Sequence, residues 1–221
     1  MSVARRAETD GVVGSGAGVS VTEDPEGLSE IHDDGCDAVI WRRDPLPSFQ
    51  PWVDALKPEQ LPKARVILRP DATRSALREI CQTSGTPDCE DRDRLIDDVA
   101  ALSERFAGLM EAPYLRLRLD VITTNACRRF HIDSVTARLI CTYRGTGTQY
   151  GLAVAGAEPD PILTVPTGAP ILLRGTLWPG QAQSGLLHRS PPIAGTGETR
   201  LVLVLDPILN LEDAPDRDLM H

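Results

Sequence analysis

"CRRFHIDSVTARLICTYRGTGTQYG", Cys127 to Gly151, decides the fold. Its apolar run belongs in a sheet, and the turn at Gly145-Thr-Gly147 ends that run and begins another. From Pro113 onward the same texture repeats: apolar runs of about five to eight residues stand between turn signals such as "EPDP" from Glu158, "PTG" from Pro166, "WPG" from Trp178 and "GTG" from Gly195. The runs are "YLRLRLDVI", "RRFHID", "TARLICTYR", "QYGLAVA", "PILTV", "APILLR", "GLLHRS" and "TRLVLVLD". Eight short strands in about 100 residues leave no room for helical crossovers, so a jelly-roll barrel or sandwich is expected rather than a parallel sheet.

The first half of the chain reads differently. Residues 1–30 are rich in Gly, Ser, Thr and acids without periodicity, and a disordered tail is expected there. Residues 31–112 form a mainly helical region of the same domain. "AVIW" and "ARVIL" are short strand candidates, "RPDATRSALREICQT" opens on a capping signal, and "DRDRLIDDVAALSERFAGLM" places Leu95, Ile96, Val99, Leu102, Phe106 and Leu109 on one helical stripe. The β core is assigned to 113–211 and a C-terminal tail to 212–221. The fold class is α+β, with N-terminal helices packed against the strands.

Composition narrows the function. With 23 Lys+Arg against 32 Asp+Glu the net charge is −9, which repels nucleic-acid phosphates and anionic membrane surfaces. No apolar run approaches the roughly 18 residues of a membrane span, and the start has no apolar leader segment. Five cysteines without a C-x-x-C pair fit neither a disulfide framework nor a zinc ribbon, so a cytoplasmic protein is expected. Nine aromatic residues give no stacking platform for bases, and nothing separates a small metabolite from a peptide as substrate.

The chemistry concentrates in two segments. On a strand, His131 and Asp133 share a face with Ile132 opposite, and an imidazole and a carboxylate aimed into a barrel require hydrogen bonds or a cation. In "SGLLHRSPPIAGTGETRLVLVLD", His188 ends the seventh run, 57 residues after His131, and Arg200 opens the eighth, 12 residues later. Two histidines and one carboxylate with positions left open form the facial triad of non-haem iron oxygenases.

Ligand identity, chain order and strand position together resemble the double-stranded β-helix Fe(II)/2-oxoglutarate dioxygenases, in their prolyl-hydroxylase-like branch. "CTYRGTGTQYG" looks like the strand and turn that follow H-x-D there, and "HRSPPIAGTGETRLVLVLD" like the distal-ligand segment. The same two segments resemble an uncharacterised bacterial family, domain of unknown function eighteen twenty-six. The resemblance implies a double-stranded β-helix core with Fe(II) on His131, Asp133 and His188. It implies 2-oxoglutarate as co-substrate, received by Arg200 with Tyr143 as a second donor, and hydroxylation of the substrate. Arg138 and Arg189 are expected to be outward-facing or structural, and Trp178 to be a packed indole in a turn. Three alternatives stay open. A cupin-like enzyme would need paired histidines and a glutamate that are absent. A metal-handling protein could close a zinc site with Cys127, which shares strand parity with His131 and Asp133. A non-catalytic β-barrel module would use the polar cluster structurally.

Overall fold

The computed structural model describes residues 18–44, 48–153, 158–180 and 185–213. Ten strands form: β1 (Val19–Thr22), β2 (Ala38–Trp41), β3 (Ala64–Leu68), β4 (Tyr114–Ile122), β5 (Ala137–Arg144), β6 (Gln149–Leu152), β7 (Leu163–Thr164), β8 (Pro170–Arg174), β9 (Leu186–Arg189) and β10 (Arg200–Ile208). The helices are α1 (Phe49–Ala55), α2 (Thr73–Thr83) and α3 (Glu90–Leu109).

Strict alternation in β10 organises the rest. Leu201, Leu203 and Leu205 are fully buried on one face, while Arg200, Val202, Val204 and Asp206 occupy the other. β10 lies inside a seven-stranded sheet of order β1-β2-β8-β5-β10-β4-β3, antiparallel except for the β1–β2 pair. Its leucine face, with Leu115, Leu117 and Leu119 of β4, packs under the helices in one core. The stripe expected on α3 supplies the other side, with Leu95, Ile96, Val99, Leu102 and Phe106 buried there. Each such side chain contributes roughly 1.5–3 kcal/mol when fully buried. Acidic Glu90, Asp91 and Asp93 in the first turn of α3 complement the positive end of its dipole.

The opposite face of the large sheet meets a three-stranded sheet of order β7-β6-β9. Between the two sheets lies a second core containing Ile40, Ile140, Tyr150, Ile171, Leu186, Val202 and Val204. The jelly roll expected from the spacing of strands and turns is therefore present, with the helices on one outer face. No helix among the described residues is long and apolar enough to cross a membrane.

Two expectations need correction. The tail expected over 1–30 does not extend past Gly18: β1 joins the large sheet, and a short 3-10 helix, Pro25–His32, buries Leu28 and Ile31 completely. Two apolar anchors suffice because Arg174 donates to the carbonyls of Ile31 and Asp33 and its guanidinium covers the Trp178 ring at 4.7 Å. Residues 1–17 lie outside the described residues, as do 214–221 of the expected C-terminal tail. The region 31–112 is mainly helical, and its two short strands, β2 and β3, pair with β8 and β4 and so belong to the core sheet. Finally, "RRFHID" is not a strand. His131 alone forms a bridge, and the chain beyond it turns toward β8 instead of continuing the ladder.

That turn is fixed by a close backbone approach after β8. Gly175 N–H donates to Thr136 O at 2.8 Å, Thr176 N–H to Asp133 O at 2.9 Å and Leu177 N–H to Val135 O at 3.1 Å. A Cβ on Gly175 would lie 1.9 Å from the Val135 carbonyl oxygen and 2.9 Å from that of Asp133. Gly175→Ala is expected to cost about 1–3 kcal/mol by overpacking. A thermal melt should record a fall of roughly 2–4 °C per kcal/mol, and an unchanged melting temperature would mean that this contact does not constrain the Asp133 loop.

Candidate functional site

The two histidines are positioned by backbone pairing. His131 and His188 exchange two N–H···O bonds of 3.0 Å, and Ser190 N–H donates to Cys127 O at 2.9 Å. Side chains of directly opposed residues share a face, so both rings turn into the barrel, with centroids 4.6 Å apart. Asp133 reaches the same point from its pinned loop. His131 Nε2 lies 3.5 Å from Asp133 Oδ1 and His188 Nε2 2.9 Å from Oδ2, and one ligand atom from each of the three residues falls within 4.8 Å of the others. Chain order, the bridge and the loop thus bring together the triad expected from sequence, although the strand meant to carry its first half is missing.

These atoms fit a cation. His131 Nδ1–H donates to the Arg129 carbonyl at 2.8 Å, which leaves the Nε2 lone pair directed at the cluster. Asp133 Oδ2 is buried and makes no hydrogen bond despite its nearness to His188. A buried acceptor without a hydrogen bond is costly, and a metal ion among the three groups would satisfy it. Burial opposes ionisation of Asp133, but the adjoining His131 and His188 nitrogens and the charge of Arg138 outweigh it, and they hold its carboxyl well below the usual range. The neighbouring carboxylate raises the pKa of His131.

Arg138, expected to be outward-facing or structural, faces inward and is held in an ion-pair network. It contacts Asp133 Oδ1 and forms a two-bond fork to Asp206, Nε to Oδ1 at 2.6 Å and Nη2 to Oδ2 at 2.9 Å. Its position in β5 gives the reason: Leu139 and Cys141 face the helices, so Arg138, Ile140 and Thr142 face the barrel. Asp206, on the barrel face of β10, was not anticipated. The signal was the end of the run "RLVLVLD", where strict alternation already placed it on the face of Arg200. Arg189 lies on the face opposite His188, as expected, with its guanidinium 4.3 Å from the centroid of Phe130.

Arg200 lines the same cavity as the triad, a space of about 140 Å³. It is 1% exposed, and its guanidinium donates only to neutral oxygens: Thr146 O at 2.6 Å, Ser190 Oγ at 2.6 Å and Thr142 Oγ1 at 3.3 Å. Among the described residues no carboxylate forms an ion pair with it. Burial lowers its pKa to about 10, against the opposing influence of Glu198.

Tyr143 does not join Arg200. Its ring lies in the helix-side core, 6.0 Å from Phe49, and its hydroxyl donates to Asp98 Oδ2 at 2.6 Å. Alternation along β5 requires this, because Tyr143 shares the helix face of Leu139 and Cys141 while Thr142 faces the barrel. The inward tyrosine is Tyr150, directly opposite His188 on β6, with a buried hydroxyl that makes no hydrogen bond. Cys127 lies at the cavity wall, but its sulfur is outside the three-residue cluster, so the four-ligand set is not assembled.

A family model described as "Protein of unknown function (DUF1826)" matches residues 22–206, and the chain belongs to that family. No curated protein matches the sequence. Among solved structures, the dioxygenase for auxin oxidation 1 of Arabidopsis thaliana, in complex with 2-oxoglutarate, superposes with a TM-score of 0.51. The identity is 10%, over 89% of this chain and 94% of that one. The rice dioxygenase for auxin oxidation gives 0.50 at 14% identity, over 93% and 88% of the two chains. At such identities the likeness is one of fold, the double-stranded β-helix of the 2-oxoglutarate oxygenases.

The contacts separate two roles. Arg138→Gln should lower divalent-metal affinity about 10- to 100-fold by releasing Asp133, read by anaerobic Fe(II) titration. Tyr143→Phe should leave that affinity unchanged and cost about 1 kcal/mol of stability through the lost bond to Asp98. Equal titrations for wild type and Arg138→Gln would remove Arg138 from the support of the site.

Proposed function

We propose that this chain is a non-haem Fe(II)/2-oxoglutarate-dependent oxygenase that hydroxylates an organic substrate. The observation that carries the reading is the Arg200 guanidinium, buried without a carboxylate in the cavity where His131, Asp133 and His188 converge. Two imidazoles and one carboxylate suit ferrous iron and leave coordination positions open. Iron bound there would supply the oxidising chemistry by which dioxygen gives one atom to succinate, formed from 2-oxoglutarate with loss of carbon dioxide, and the other to the hydroxylated substrate.

The chain's own residues have distinct tasks in this reading. Arg129, through its carbonyl, fixes His131 in the tautomer that presents Nε2. Arg138, itself positioned by Asp206, holds Asp133 in place and helps to keep it ionised. Arg200 receives the distal carboxylate of the co-substrate, because a guanidinium offers a planar two-donor fork. Ile140, Val202 and Val204 give the cavity apolar walls, and the lowered dielectric strengthens that pairing. Tyr150 is close enough in register to be a further donor toward the cavity. The absence of Cys127 from the cluster favours an open site over a closed zinc site. Five free cysteines fit a cytoplasmic location, and the net charge of −9 disfavours nucleic acid or membrane as partner.

Two measurements test the reading. Fe(II) added anaerobically and followed by 2-oxoglutarate should give a weak visible charge-transfer band, and alanine at His131, Asp133 or His188 should remove most of the iron affinity while the fold persists. Arg200→Ala should weaken 2-oxoglutarate by roughly one and a half to three and a half orders of magnitude, from a loss of about 2–5 kcal/mol. Fe(II) affinity should stay near wild type, and Arg200→Lys should recover part of the loss. Calorimetry of the iron-loaded protein decides: equal affinity in wild type and Arg200→Ala, or no binding in either, overturns the proposal.

A further inference from the structure

We infer that the substrate carries an oxyanion, a carboxylate or a phosphate, and that Arg118 is the residue that receives it. The inference rests on the oxygenase reading for the word substrate, while the anion site itself stands on its own contacts. Arg118 lies on β4 and lines the cavity that holds the triad and Arg200. In the β4–β10 register Arg118 opposes Val204 and Arg200 opposes Ile122. The two guanidinium-bearing positions are therefore four residues apart along paired strands, roughly 13 Å at strand rise. One cavity has an arginine at each end, so a second acid can bind while Arg200 is occupied.

Arg118 is poorly compensated. Its one ion pair is to Asp206 Oδ2 at 3.4 Å, and that carboxylate already accepts the two-bond fork of Arg138. Its Nε is buried without a hydrogen-bond partner. Burial lowers its pKa, Asp206 opposes that shift, and Arg138 adds to it. At 18% exposure the side chain is still reachable by a ligand.

Asp120 also lines the cavity, two residues along the same face, and makes no ion pair with Arg118 at 4 Å or less among the described residues. Its charge partly compensates Arg118 and works against an anion there, most strongly against a polyanion. The cavity lining itself carries four arginines, Arg118, Arg138, Arg189 and Arg200, against the carboxylates Asp120 and Asp133. In a chain of net charge −9 this local reversal of sign would draw small anions toward the mouth.

The test uses the full chain in an Arg200→Met background, so that the first anion position cannot answer for the second. Benzoate and phenyl phosphate are titrated by calorimetry, with benzamide as the uncharged control. At least one of the two anions should bind, the better one naming the oxyanion, with affinity falling as salt rises; benzamide should not bind. Adding Arg118→Gln should weaken the better anion roughly 10- to 100-fold, the worth of a charged hydrogen bond. Adding Arg118→Lys, which keeps the charge if Arg118→Gln proves unstable, should retain part of the affinity and its salt dependence. Equal affinity with and without Arg118→Gln, benzamide binding as well as benzoate, or no binding of either anion overturns the inference. Failure of 2-oxoglutarate to bind wild type would instead overturn the oxygenase reading and leave this anion site to be judged on the titrations alone.

Discussion

Asp133 remains ionised, against its burial, because the His131 and His188 nitrogens and the Arg138 guanidinium all meet it. A carboxylate taken out of water loses hydration that only a paired cation or hydrogen-bond donors can replace. Arg138 supplies the cation, and Asp206, 2% exposed on the neighbouring strand, in turn neutralises Arg138. Asp206 then attracts Arg118 from β4. The charges therefore form a relay across β5, β10 and β4, each member justified by the next, and the only open ends are the Asp133 oxygen turned toward the histidines and the guanidinium of Arg118. Both ends lie in one cavity.

The arrangement depends on the register of three strands more than on any loop. β10 brings Arg200 and Asp206 to the same face by an even spacing, and β4 and β5 meet it with Arg118 and Arg138 on that face. A one-residue slip would turn all four side chains under the helices and bring Leu201, Leu203 and Leu205 into the barrel. The helices enforce the correct choice, because the leucine face and the α3 stripe bury one another. Core packing on one side of the sheet thus selects the polar face on the other.

Much of this was legible in the sequence, and each miss has its own physical cause. Turn signals and alternation located β4 through β10, and the 3.6-residue stripe located α3. The pattern His131, Asp133, His188, Arg200 was readable because each residue type is rare in a strand interior and the order is distinctive. Tyr143 shares the parity of Leu139 and Cys141 on β5, so alternation alone puts it in the helix-side core although it is near the site in sequence. The barrel-side role of Arg138, expected to be outward-facing or structural, is hidden because its compensating partner is 68 residues away, at Asp206. The "RRFHID" run was given strand geometry because local composition cannot reveal that Asp133 O is taken by Thr176 N–H. The segment after Gly18 was read as a tail because two buried anchors, Leu28 and Ile31, are too few to make a period.

The buried arginines show what distinguishes a residue kept for the fold from one kept for a ligand. Arg43, on the helix side, donates to both oxygens of Asp98 at 2.5 and 2.7 Å, and the same carboxylate accepts the Tyr143 hydroxyl. Its charge is cancelled within the fold, and despite burial the bond to Asp98 raises its pKa. Arg174 closes the end of the 3-10 helix, where carbonyls carry the negative end of a dipole, and lies against the Trp178 ring. Arg200 is less exposed than either, and it meets three neutral oxygens and no compensating charge among the described residues. A cation held in that state is a standing cost to folding, tolerated because its hydrogen bonds aim it without neutralising it. The deficit is one negative charge, at a depth that only a small ligand entering the cavity could supply, and a carboxylate is the group whose two oxygens match a guanidinium fork.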